Sequence, residues 1–169
     1  TRDLLHWEHL PDALAPGEAG PDSFGCWSGC IVDDGPEARL FYTGVRLEGE
    51  TRVASICQAR SVDRMTWAKD AGGPVVPTPP DGIPPDLFRD PFVWREDGVW
   101  HMVVGAGVPD DHGAALLYRS ADLDRWRYVG PILSSDQVDD ISDGHAPMWE
   151  CPQMLRFGDR HVLIVSVVD

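Results

Sequence analysis

Two acidic side chains stand out because each is followed by proline or by a Cys-Pro pair inside an aromatic segment: Asp90 in FRDPFVW and Glu150 in WECPQ. An acid that protonates a leaving oxygen, with a second carboxylate near an oxocarbenium-like centre, is what cleavage of a glycoside needs. Arg89 sits beside the first acid. A third segment, GCWSG, adds Trp27 and Ser28. The same residues also fit a plain structural reading, in which Asp90 caps a turn and Glu150 pairs with a cation such as Arg89. Spacing alone leaves both open, and the choice depends on whether the fold brings the segments together.

The elements that must position them are short strands. With 17 Gly and 15 Pro in 169 residues, no long window keeps an apolar 3.6-residue period. Strands are expected at Cys26–Val32, Arg39–Val45, Val53–Arg60, Pro91–Arg95, Val99–Val104, Ala114–Ser120, Gln153–Phe157 and His161–Val168. Three segments, DLLHW, SVDRMTW and SADLDRW, end in an acid followed by tryptophan, and Trp7, Trp67 and Trp126 are 60 and 59 residues apart. A period near 60, with short antiparallel strands and Asp-Gly or Gly-Asp turns in each unit, predicts an all-β protein built of β-propeller blades. The repeats fall near 25–67, 88–126 and 149–169. In a propeller the first strand of each blade lines the axis, so Gly25–Gly29, Phe88–Pro91 and Trp149–Pro152 should converge at one end of a channel. Superposing the two prolines sets Asp90 opposite Cys151 and Arg89 opposite Glu150, an offset that would turn the two acids to opposite faces of a regular strand. A bulge or pre-strand turn at either proline would remove that conflict.

The combination of HWEHLP, ALAP, GCWSG, FRDPFVW and WECPQ resembles glycoside hydrolase family 32, the group of invertases, levanases, inulinases and sucrose-6-phosphate hydrolases. The resemblance implies a five-bladed propeller, of which this chain holds the end of one blade, two blades and the start of the next, as a partial catalytic domain over 1–169. It implies retaining hydrolysis of terminal β-fructosyl linkages, with Glu150 as general acid/base, Asp90 as transition-state stabiliser, and Arg89, Trp27 and Ser28 lining the sugar site. The family's nucleophile is an Asp in an Asn-Asp-Pro motif, and this chain contains no Asn. The 169 residues alone are therefore expected to be inactive, a fragment whose partners are the remaining blades and a fructoside substrate. Glu150 is expected in an apolar setting supplied by Met148, Trp149 and Cys151, and Asp90 is expected to be ionised near Arg89.

Other readings are a non-catalytic carbohydrate-binding propeller, using Trp27, Trp94 and Trp149 for stacking, a five-bladed arabinan- or xylan-cleaving enzyme, and a sialidase-like propeller. The 28 acidic against 14 basic residues, a net charge of −14, would repel phosphate backbones and anionic membranes, so neither is an expected partner. No apolar run approaches the roughly 20 residues of a membrane helix. No cofactor is implied. Cys26 and Cys30, four strand residues and about 13 Å apart, are too distant to share one tetrahedral metal ion, so no metal is expected and the thiols of Cys26, Cys30, Cys57 and Cys151 read as structural. Pro-rich linkers before each unit are expected to rim the channel. The last, 130–147, includes Asp136, Asp139, Asp140, Asp143 and His145 and reads as a solvated acidic loop.

Overall fold

The computed structural model describes residues 1–109, 112–138 and 147–168, so Asp139, Asp140, Asp143 and His145 lie outside the described residues. Among the described residues ten strands form three antiparallel sheets. The first runs β1 (Gly25–Asp34), β2 (Glu37–Glu48), β3 (Thr51–Ser61) and β4 (Ala68–Lys69), in that spatial order. The second repeats the order with β5 (Phe88–Glu96), β6 (Val99–Val108), β7 (His112–Ser120) and β8 (Arg127–Ser134). The third holds β9 (Met148–Phe157) and β10 (Arg160–Val168). First strands lie against first strands, β1 on β5 and β5 on β9, so the sheets fan out from a common inner edge.

The period-2 alternation decides which sheet each residue faces. Along β2 and β3, Phe41 and Ile56 point towards the second sheet, meeting Phe88, Met102, Val104, Leu116 and Leu123 in the larger core. Tyr42, Cys57 and Ala59 point the other way, onto Leu14 and Trp67. The second sheet is covered on both faces, since Val103 and Ala115 pack with Trp149, Leu163 and Val165 of the third. Trp149 fits only because its neighbours lack side chains: a Cβ at Gly113 would collide with the indole, and one at Gly105 with the Trp149 carbonyl.

All eight expected strands form, and two were missed. β4 is two residues long. β8 lay hidden in a segment read as a linker, because Gly130-Pro131 resembles a break. The structure accommodates both residues in an outer edge strand, where the missing proline N–H removes no bond to a further strand, and the β7–β8 pairing is irregular there. The linker before β5, expected at the channel rim, instead contributes to the core. Val76 exchanges backbone hydrogen bonds with Ile56 and is buried in the wedge between the first two sheets.

The Asp-to-Trp segments are one recurring turn. Asp3, Asp63 and Asp122 each accept two backbone N–H bonds from the residues two and three ahead, and Thr1, Ser61 and Ser120 donate to the same carboxylates. The next residue, Leu4, Arg64 or Leu123, has φ near +60°. Residues 1–24 contain this turn but no strand. Trp126 packs edge-on against Phe41 of the preceding sheet and Trp67 against the Leu14 cluster, whereas Trp7 is exposed.

Candidate active site

The offset between the two acidic segments is resolved by the backbone. All three first strands carry one extra residue at corresponding points: pairing skips between Trp27 and Gly29, between Arg89 and Phe92, and between Glu150 and Gln153. Asp90 and Cys151 occupy matching bulge positions and both have positive φ, 62° and 47°. A bulge re-aims the side chains beside it. Arg89 and Glu150, at matching positions, meet across the seam between β5 and β9, with Arg89 Nε donating to Glu150 Oε1 at 2.8 Å. Asp90 turns to the same place.

The three bulges are joined by hydrogen bonds. The Asp90 N–H donates to Thr43 Oγ1 at 2.8 Å, and the Thr43 hydroxyl donates to the Ser28 carbonyl at 3.2 Å. On the other side, the Cys151 N–H donates to Asp90 Oδ2 at 3.0 Å. This chain from β1 through β2 and β5 to β9 holds the Asp90 carboxyl by its own backbone and by its neighbour's. Thr43 is fully buried, and the sequence reading did not single it out. Its only local signal was its place in YTG opposite GCWSG, which becomes meaningful once β1 and β2 are paired.

Trp27, Ser28, Arg89, Asp90, Glu150 and Cys151 line one concavity of about 290 Å³, together with Arg52 from the start of β3, which the sequence reading also missed. A neighbouring hollow of about 260 Å³ shares Ser28, Asp90 and Cys151 and continues over Pro91 and Pro152. Every expected site residue is therefore in one place. The Arg89 guanidinium lies 5.8 Å from the Trp27 ring centroid and also donates to the Asp86 carbonyl, which fixes its orientation.

The electrostatics differ from expectation. Met148 is buried and Trp149 is buried between the second and third sheets, so the apolar setting expected around Glu150 is replaced by the Arg89 ion pair. Trp149 contributes as a wedge that pins β9, and for the same reason its buried ring offers no stacking face to a sugar. The desolvated acid is Asp90: it is 6% exposed, and burial pushes its carboxyl above the ordinary value. The Glu150 charge adds to that push, while the Cys151 N–H and thiol and the Arg89 charge oppose it. Burial thus works against the ionised state expected of Asp90, and these surroundings do not by themselves assign the acid's role. The four cysteines are free thiols. Cys30, pushed up to about 12 by burial, accepts the Val93 N–H across the first two sheets. No cluster able to hold a metal ion occurs among the described residues.

Comparison with known proteins agrees with this architecture. The glycosyl hydrolases family 32 N-terminal domain matches residues 1–169. The sucrose-6-phosphate hydrolase of Escherichia coli is 42% identical over 169 residues, covering 97% of this chain and 33% of that protein. The raffinose invertase of Escherichia coli is 41% identical, covering 98% and 33%. Among solved structures, the family 32 β-fructofuranosidase of Bombyx mori superposes with a TM-score of 0.81 at 32% identity, covering 98% of this chain and 33% of that one. The chain thus spans about a third of the length of these relatives. Fanned antiparallel sheets, bulged inner strands and a match along the whole sequence lead to one conclusion: the chain belongs to glycosyl hydrolase family 32 and folds as part of its N-terminal β-propeller domain.

Proposed function

We propose that these 169 residues form part of the catalytic propeller of a retaining β-fructosidase, in which Glu150 is the general acid/base and Asp90 holds the fructosyl ring. The observation that carries this is the meeting of Asp90 and Glu150 in one concavity, aimed there by equivalent bulges on neighbouring inner strands. In the reading, Glu150 gives its proton to the departing glycosidic oxygen while a nucleophilic carboxylate from outside this chain bonds to the anomeric carbon. A water molecule then attacks that carbon, gives its proton to Glu150 and frees the nucleophile. Asp90, anchored by the Cys151 N–H, accepts hydrogen bonds from ring hydroxyls that strengthen as positive charge develops on the ring. Trp27 and Ser28 form the wall, and Arg89 keeps the Glu150 carboxylate pointed into the concavity. The family match favours fructosides over the arabinan, xylan and sialoside alternatives. Within this reading the domain takes in all of 1–169 and the complete ring has five blades.

The test uses the intact gene product that carries this chain. Glu150→Gln should lose roughly 10²-fold or more on sucrose and much less on an activated aryl fructoside, with added azide restoring turnover of the latter. Asp90→Asn should lose rate on both substrates without azide rescue. The reverse pattern exchanges the two roles, near-normal activity of both variants removes the catalytic roles from this concavity, and an intact wild-type protein that binds but does not hydrolyse fructosides is a carbohydrate-binding propeller.

A further inference from the structure

Two cations line the concavity, and they are held differently. Arg89 is committed, its Nε to Glu150 and another nitrogen to the Asp86 carbonyl. Arg52 is exposed, and no carboxylate or carbonyl among the described residues pairs with it. What fixes it is aromatic: its guanidinium carbon lies 5.6 Å from the Phe24 ring centroid and 5.7 Å from that of Trp27. Contact with aromatic rings spends none of the guanidinium's N–H donors on an oxygen acceptor. A fork of donors held in place and left unspent suits an oxyanion with several acceptor oxygens.

Charge sharpens the point. With a net charge of −14, these 169 residues repel anions at long range, and the concavity already contains two carboxylates. An anionic ligand therefore needs a cation in direct contact, where screening by salt is weakest. Position says which part of the ligand that is. Asp90 is almost fully buried at the floor, Glu150 is partly exposed beside it, and Arg52 stands at the exposed rim. A molecule whose reacting bond lies at Glu150, with its fructosyl ring on Asp90, presents its departing sugar towards the rim.

From this geometry we propose that Arg52 is a specificity-determining residue that binds a phosphate monoester on the leaving sugar of a fructoside. The inference rests on the fructosidase reading above. Trp27 then has two functions, as a wall for the ring and as the shelf that orients Arg52.

The experiment compares the intact protein with Arg52→Ala and Arg52→Lys. The ratio of kcat/KM for sucrose 6-phosphate over that for sucrose should fall roughly tenfold or more in Arg52→Ala, mainly through KM, and partly recover in Arg52→Lys. An unchanged ratio overturns the proposal, including the case in which both substrates lose equally because Arg52 only props Trp27. A binding arm needs no turnover: by titration calorimetry, glucose 6-phosphate should bind more tightly than glucose, and Arg52→Ala should remove that advantage. If no fructoside is hydrolysed but this Arg52-dependent advantage is present, the fructosidase reading fails and the phosphate site stands. If inorganic phosphate binds with the same Arg52 dependence and glucose 6-phosphate gains nothing over it, the sugar-phosphate assignment is wrong.

Discussion

At the scale of single residues, Asp90 sets function against stability. Its carboxyl is raised in the folded protein chiefly by burial, so the fold favours the protonated form. The stability it contributes is therefore present below the carboxyl's unfolded value and is lost as pH rises through the folded one. Asp90→Asn keeps an acceptor for the Cys151 N–H and removes the desolvated charge. The variant of the intact protein should melt higher than wild type at pH 7, with the gain shrinking towards pH 4, while its activity falls by orders of magnitude. Equal melting temperatures at both pH values would show that the carboxylate is better solvated than its position implies. Arg89 and Glu150 divide differently, because each compensates the other and neither is deeply buried.

At the scale of elements, the bulge matters more than the strand. Without the extra residue, Asp90 and Glu150 would fall on opposite faces; with it, both acids and Arg89 share one concavity. Thr43 ties two of these bulges together, and its replacement tests whether the hydrogen-bonded chain holds them. Thr43→Val preserves shape but leaves the buried Asp90 N–H without a partner, a cost of about 1–3 kcal/mol, and removes the donor from the Ser28 carbonyl, which is nearer solvent. Thr43→Ser should cost clearly less. Denaturant unfolding of the two variants, with kcat/KM measured alongside, checks this; equal stability for Val and Ser would mean that the hydroxyl is dispensable. The Asp turns are a second recurring element. Backbone N–H bonds from Thr66 and Met65 hold the Asp63 carboxyl below the usual range, so this turn supports the fold above that range and weakens as pH falls.

At the scale of the molecule, neighbouring sheets are pinned by charge outside the apolar core. Asp124, in the turn between β7 and β8, accepts from Arg39, Arg60 and Gln58 of the first sheet, and Glu96 of the second meets Arg156 and His161 of the third. The outer flanks carry exposed apolar residues instead: Ile31 on the first sheet, and Phe157, Val162, Ile164 and Val167 on the third. Blades rely on neighbours for burial. The 169-residue chain on its own should self-associate at micromolar concentration and show no fructoside turnover, because no Asn-Asp-Pro segment is present to supply a nucleophile. Size-exclusion chromatography with a sucrose assay measures both, and sustained turnover abolished by Asp3→Ala would relocate the nucleophile to that turn.

Much of this protein was legible in the sequence by itself. The 60-residue period, the strand alternation and the Asp-to-Trp turns are local, since a β-strand's faces and an Asp-capped turn are decided by residues within a few positions of each other. They were enough to expect propeller blades and to bring the segments holding Asp90, Glu150, Arg89, Trp27 and Ser28 to one end of a channel, whereas the roles of those residues came from the family resemblance. The sequence did not determine which way those side chains point, because a bulge is a property of two paired strands and a one-residue slip reverses every face. It also did not separate Met148 and Trp149, which are core, from their neighbour Glu150, which is not. Thr43 and Arg52 were invisible for the same reason. Their importance comes from contacts with residues 15 to 47 positions away, Ser28 and Asp90 for Thr43, Phe24 and Trp27 for Arg52, which only the tertiary structure brings together.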